Sequence, residues 1–144
     1  MPNIPPNMGR LFVYMTERAH EMLNAMSRGT GGEQAFTVDN DVCEVLGEAF
    51  TYRDLPAGDH DVSADDVKKF LGGYRKGKYH VKVPIVAGGT AYVRIDKERQ
   101  DGTHYIPRLV DAATAEAQIA DLPIDTHLVT FECRANQAEE RGTD

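Results

Sequence analysis

The fold is decided by Phe50-Thr-Tyr-Arg-Asp-Leu-Pro-Ala-Gly-Asp-His-Asp-Val62 together with Tyr79-His-Val-Lys-Val-Pro-Ile-Val-Ala-Gly-Gly-Thr-Ala-Tyr-Val-Arg-Ile95. In each stretch, two runs of alternating side chains flank a glycine-bearing turn, Pro-Ala-Gly in the first and Ala-Gly-Gly in the second. This pattern is typical of antiparallel hairpins. Both stretches therefore predict a strand, a turn and a returning strand, and neither contains a catalytic group at a diagnostic spacing.

Alternation of the same kind extends along most of the chain. It predicts strands over 9–16, 34–38, 42–46, 49–55, 60–63, 79–86, 90–96, 104–110 and 126–133. Helical spacing appears at 17–27 and again at 111–121, where Asp111 is the predicted N-cap. Residues 65–78 are charged and rich in glycine, which predicts an excursion from the sheets with one helical turn over 64–71. We therefore predict an all-β fold, a single antiparallel β-sandwich of about seven or eight strands with two short peripheral helices.

The predicted core follows from the alternation in the two deciding stretches. Six residues should face one interior, namely Phe50, Tyr52, Val81, Val83, Ile85 and Val93. Pro84 lacks a backbone donor, so its strand is predicted to lie at an edge. The strand at 9–16 is apolar on both faces, which predicts a central position.

A chain of 144 residues is long enough for one domain with a substantial core. Three prolines among the first eight residues predict an extended arm at 1–8, followed by the sandwich domain at 9–134. Residues 135–144 are polar and charged and predict a C-terminal tail.

The formal net charge of −7 disfavours nucleic acid and anionic membrane surfaces as partners. No apolar run approaches the roughly 20 residues of a membrane helix. The first residues contain neither a basic nor an apolar signal-peptide region. A cytoplasmic or particle-associated location is therefore favoured over a periplasmic mature form, unless a leader was removed.

The two cysteines, Cys43 and Cys133, are far apart in sequence. The simplest interpretation is that both are small buried hydrophobic residues. A disulfide between strands is an alternative, since the count is even. A catalytic thiol is a third, although neither cysteine lies in a nucleophile motif.

Four stretches resemble a family of bacterial domains of unknown function, DUF2846. They are Arg10-Leu-Phe-Val-Tyr14, Phe36-Thr-Val-Asp-Asn-Asp41, the stretch at 50–62 and Ala87-Gly-Gly-Thr-Ala-Tyr-Val-Arg94. The resemblance covers about residues 9–122, and part of it is shared with PEGA-like and transthyretin-like sandwiches. It implies a small β-sandwich without an established enzyme activity and supplies no catalytic residues. The helix at 17–27, the excursion at 65–78 and the missing leader depart from the family pattern.

Two groups of residues are candidate sites. Carboxylates that are crowded in a loop can bind Ca²⁺, and the weak metal candidates are Asp59, Asp61, Asp65 and Asp66. Their spacing is not that of a calcium loop, so we predict no metal. Charged and glycine-rich residues of the excursion, with two prolines of the arm, are the candidate interaction residues, namely Gly73, Tyr74, Arg75, Lys76, Lys78, Pro5 and Pro6.

The five histidines show no metal-pair spacing, and His80 and His104 are predicted to point outward. No nucleophile elbow and no dinucleotide-binding glycines are present. We therefore expect no cavity in which a histidine or cysteine meets a second catalytic group.

These observations predict a non-enzymatic structural or protein-interaction module, a component of a larger homo- or hetero-assembly, without a cofactor. One alternative is a soluble carbohydrate- or peptide-binding domain of an exported protein. A second is a small metal-dependent hydrolase that uses the loop at 59–66.

Overall fold

A computed structural model describes residues 2–17, 33–46, 48–65, 68–70, 73–75, 77–122 and 134–135. These residues form eleven strands and one helix. The strands are β1 (Met8–Met15), β2 (Glu33–Val38), β3 (Asp41–Leu46), β4 (Ala49–Pro56), β5 (Gly58–Ala64), β6 (Lys68–Phe70), β7 (Gly73–Arg75), β8 (Tyr79–Ile85), β9 (Thr90–Arg99), β10 (Thr103–Val110) and β11 (Arg134–Ala135). The helix is α1 (Ala112–Ile119).

The strands build two main sheets. Sheet A has four strands in the order β10-β9-β1-β4, and sheet B has five in the order β11-β3-β2-β5-β8. The predicted all-β, sandwich-like fold is confirmed, as are the central position of β1 and the edge position of β8. The prediction that every strand pair is antiparallel is wrong at one place, because β1 pairs with β9 in parallel.

The two deciding stretches do contain strands, but the prediction that they are hairpins is wrong. β4 pairs with β1 in sheet A, whereas β5 pairs with β2 and β8 in sheet B. In the same way β8 lies in sheet B, whereas β9 pairs with β1 and β10 in sheet A. We call the segments at 56–58 and 86–89 the crossing turns, because each carries the chain from one sheet to the other.

Both crossing turns are fixed to the start of β1. The amide of Ala57 donates to the carbonyl of Asn7 at 3.2 Å, and the amide of Gly88 donates to the carbonyl of Met8 at 2.8 Å. Gly9 has no room for a side chain, since a Cβ there would lie 2.5 Å from the carbonyl oxygen of Val86. Both crossing turns are therefore attached to the same strand, β1.

The central strands of sheet A carry buried residues on both faces, so the protein has two apolar clusters instead of the single interior that we predicted. Val83, Ile85 and Val93 lie in the cluster between the sheets, with Val81 packed against it. Phe50 and Tyr52 face the opposite side of sheet A, where they join a second cluster that includes Ala115 of α1. The prediction fails because alternation shows which residues share a face, but not what covers that face.

The predicted helix at 111–121 is confirmed, and the side chain of Asp111 accepts a hydrogen bond from the amide of Thr114, as an N-cap does. The predicted helix at 17–27 lies outside the described residues apart from Glu17. So do the strand predicted at 126–133 and most of the tail. The helical turn predicted over 64–71 is wrong where it is described, because β6 pairs with β7 as a short hairpin.

Cys43 is 3% exposed and is disulfide-bonded, as the second interpretation of the cysteines predicts. The chain has one other cysteine, Cys133, which lies outside the described residues. Within the part of the chain that is described, no helix is long and apolar enough to cross a membrane.

Candidate functional site

A cleft of about 440 Å³ opens between the start of β8 and the hairpin that joins β9 to β10. It is lined by Lys78, Tyr79, Glu98, Gln100, Asp101, His104 and Ile106. β8 is one of the two edge strands of sheet B and β10 is one of the two edge strands of sheet A, so the cleft lies on one open side of the sandwich. Its volume is within the usual range for small-molecule sites.

The wall of the cleft is held by Asp65, a buried carboxylate directly after β5. Asp65 is 4% exposed, and its Oδ2 lies 3.1 Å from Nδ1 of His104. The amide of Tyr105 donates to Oδ1 at 2.9 Å. The backbone of Asp65 has a φ of 68°, a left-handed conformation that is uncommon outside glycine. The carboxylate therefore fixes the orientation of the His104 ring from behind.

The second ring nitrogen of His104 and the ring itself also contact neighbouring groups. Its Nε2 lies 3.3 Å from the carbonyl oxygen of Asp101. The ring of Tyr79 meets the His104 ring edge-on, with 6.0 Å between centroids. Nζ of Lys78 lies 5.5 Å from the centroid of the Tyr79 ring. The cleft wall is thus a chain of contacts in which each side chain restricts the next.

A charged ladder on β9 and β10 lies on the same face as His104, whose partner in the register is Glu98. Glu98 of the cleft forms an ion pair with Arg108. Arg108 also lies 3.0 Å from Asp96, which contacts Arg94 at 2.6 Å. The carboxylate of Glu98 therefore enters the cleft with a cation already beside it.

The metal candidates do not converge. Asp61 lies 2.9 Å from Nδ1 of His80, and Asp59 lies 3.9 Å from Nζ of Lys82. Asp65 contacts His104 at the far end, roughly 20 Å of extended chain away from Asp59. Asp66 lies outside the described residues. In the described ranges, no three His, Cys, Asp or Glu residues come together in a way that could hold a metal ion.

A second polar cluster lies where the first crossing turn meets the turn between β2 and β3. Nδ1 of His60 lies 2.7 Å from Asp39 Oδ2, and its Nε2 lies 2.7 Å from the carbonyl oxygen of Pro56. Burial lowers the pKa of His60, but its hydrogen bonds to Asp39 and to Pro56, with the charge of Asp39, raise it above 6.5 overall. Beside this group, Arg53 of sheet A forms an ion pair with Asp41 of sheet B at 3.1 Å.

We expect the stabilisation from His60 to depend on pH. Because its pKa is higher in the folded than in the unfolded protein, the contribution is complete below the unfolded value of 6.5 and is lost as the pH rises through the folded value. Urea unfolding of the wild type and of His60→Gln at about pH 5.5 and 8.5 measures it. The wild type should exceed the variant by more at the lower pH. His80→Gln, on the exposed face of β8, is the control, and an equal difference at both pH values would contradict the assignment.

Of the predicted interaction residues, Lys78 lines the cleft. Gly73, Tyr74 and Arg75 form β7, and Lys76 lies outside the described residues. Their proposed role in partner binding stays a prediction.

Pro5 and Pro6 are exposed in the arm, whose start is held by its own chain. Nη1 of Arg10 donates to the carbonyl of Pro2 at 2.7 Å, while Nε of the same guanidinium pairs with Asp54 at 2.7 Å. The assembly role of the arm also stays a prediction.

Two expectations about histidines are resolved by the cleft. His80 points outward as predicted, and His104 lies on the same face of β10 as the exposed Arg108, with 26% of its side chain exposed, where Asp65 holds it in the cleft wall. The expectation that no cavity brings a histidine to a second acid–base group is therefore wrong at this pair. The sequence contained one signal, an aspartate at the end of a strand, which tolerates left-handed backbone. Its partner lies 39 residues further along, beyond the reach of any local motif.

A scan against models of protein families, a search of curated proteins and a search of solved structures each found no match for this chain. The resemblance to DUF2846 therefore stays a prediction.

Proposed function

We propose that this chain is a non-enzymatic binding module that recognises a partner at the cleft between β8 and β10. The proposal belongs to the class of interaction modules that the sequence predicts. One observation carries it, namely the buried Asp65 that holds the His104 ring in the cleft wall. A polar group whose orientation is fixed before binding loses little conformational freedom when a ligand arrives, which favours affinity.

The same contacts argue for binding rather than catalysis. A general base needs a nitrogen that is free to take a proton from the substrate. Each ring nitrogen of His104 faces an oxygen acceptor, Asp65 at 3.1 Å and the Asp101 carbonyl at 3.3 Å. His104 thus serves as a fixed part of the wall.

The backbone around Asp65 supports a built site. Its carbonyl accepts a hydrogen bond from the amide of Lys78 at 2.8 Å, so the first residue of the cleft is tied to the carboxylate that braces it. Next to it, Gly77 lies so close to Ala64 that a Cβ would come within 2.2 Å of the Ala64 carbonyl oxygen. The loop therefore returns to β5 at a defined place and sets the position of Lys78 and Tyr79.

The test compares two matched double variants. Lys78→Ala with His104→Gln alters the cleft, whereas Lys82→Ala with His80→Gln makes the same changes on the exposed face of β8. Each protein is applied to a printed oligosaccharide array and to a displayed library of short peptides. We expect at least one ligand that the wild type and the β8-face variant retain and the cleft variant loses by tenfold or more.

Two results would overturn this proposal. One is that no oligosaccharide of the array and no peptide of the library depends on the cleft residues for its binding. The other is that mass spectrometry finds a cleft-dependent ligand chemically altered after incubation with the protein, which would make the module an enzyme. Circular dichroism of both double variants shows that a loss of binding is not a loss of fold.

A further inference from the structure

The charges that line the cleft are balanced within the protein. Glu98 is paired with Arg108. Lys78 and Asp101 add one charge of each sign. Specific binding of an anion or a cation needs an excess of the opposite charge at the site. The wall supplies no such excess, which favours an uncharged ligand.

The cleft nevertheless presents many hydrogen-bonding groups. The carboxylate of Glu98 accepts, the amide of Gln100 both donates and accepts, and the ammonium of Lys78 donates. A ligand that meets donors and acceptors side by side must offer both functions over a short distance. Hydroxyl groups on neighbouring carbons do so, since each hydroxyl is both donor and acceptor.

The apolar part of the cleft is small. Tyr79 and Ile106 provide it, and the Tyr79 ring is held by His104 on its edge and Lys78 over its face. A sugar ring combines hydroxyl groups with a C–H surface and therefore fits such a mixed lining. A volume of about 440 Å³ lies near the lower end of the range for small-molecule sites, which suits one or two sugar units.

A peptide that adds a strand fits this side of the sandwich less well. Such a peptide needs a row of free N–H and C=O groups on a sheet edge. The two edge strands that flank the cleft each contain a proline, Pro84 in β8 and Pro107 in β10, and proline has no N–H. The edge of β10 is therefore interrupted in its middle, and the edge of β8 is interrupted one residue before its end.

We infer that the ligand of the cleft is an uncharged saccharide of one to two sugar units. This inference rests on the proposed function, and it names the ligand class of the same site.

The test titrates ¹⁵N-labelled protein with neutral disaccharides of gluco, galacto and manno configuration. We expect at least one to shift the amides of Tyr79, Gln100 and Tyr105. Its Kd should change less than twofold between about 50 and 500 mM NaCl, because no ion pair is formed. Gln100→Ala should weaken it at least tenfold, whereas Lys82→Ala should leave it unchanged.

The corresponding uronic acids and short peptides form the other arms of the experiment. Tighter binding of a uronic acid with a steep salt dependence, or cleft-dependent binding of a peptide alone, would overturn the saccharide inference and leave the binding module standing. If no disaccharide, uronic acid or peptide shifts these amides, both the inference and the proposed function are wrong.

Discussion

Val83→Asp is expected to abolish cooperative folding. Val83 is completely buried between the sheets, in the cluster that also holds Ile85 and Val93. The substitution places a carboxylate in that interior without a partner, and a buried unpaired charge costs several kcal/mol. We expect a loss of at least about 4 kcal/mol, which is close to the whole free energy of unfolding of a domain at the lower end of the usual range, about 5 kcal/mol.

The control for this prediction is Lys82→Asp, the same substituent one residue earlier. The side chain of Lys82 is 76% exposed on the other face of β8, and its contact to Asp59 spans 3.9 Å. An exposed pair of this kind contributes at most about 1 kcal/mol. Urea unfolding followed by circular dichroism should therefore give a wild-type-like transition for Lys82→Asp. A cooperative transition for Val83→Asp near that of the wild type would show that the assignment of the buried face is wrong.

Gly9→Ala is expected to destabilise the protein by about 2–4 kcal/mol, because overpacking against backbone is costly. The new methyl group would lie 2.5 Å from the carbonyl oxygen of Val86 and 2.6 Å from Cγ2 of Ile85. To make room, the second crossing turn would have to move away from β1. That movement would weaken the hydrogen bond that Gly88 donates to the Met8 carbonyl.

Gly89→Ala is the matched control, since it adds the same methyl group within the turn itself. There the nearest atom is the Val86 carbonyl oxygen at 3.2 Å, a shortfall of a few tenths of an ångström. Thermal unfolding of both variants should give a much larger drop in Tm for Gly9→Ala. Equal drops in Tm would mean that the backbone at the start of β1 moves to make room for the new methyl group at little cost in stability.

The strands were predictable from the sequence, whereas their partners were not. Alternation in β8 identifies Val83 and Ile85 as buried, and the structure agrees. The partner of β8, however, is β5 rather than the next strand in the chain. A glycine turn permits both a hairpin and a crossing turn, because inner faces of both sheets bury alternate residues in the same way. A period of two residues does not reveal strand direction either. The parallel pairing of β1 with β9 therefore could not be predicted from the sequence pattern.

The candidate site was less predictable than the fold. Lys78 and Asp65 were singled out from the sequence, but as members of two separate groups. Glu98, Gln100 and His104 come from the distant hairpin of β9 and β10, and nothing local connects them with Asp65. Only the packing of β10 beside β8 brings these segments to one cleft.

The place of β1 in sheet A has a consequence for synthesis of the protein. One edge of β1 forms backbone hydrogen bonds with β4. The other edge pairs with β9, from Thr90 to Arg94, and stays unpaired until β9 has been synthesised. At common elongation rates, roughly ten seconds pass between the emergence of the two strands. Throughout that interval a nascent chain carries Leu11–Met15, apolar on both faces, with at least one edge unpaired. Neighbouring nascent chains on one messenger RNA can meet through that edge, so the distance from β1 to β9 along the sequence sets the period of greatest aggregation risk.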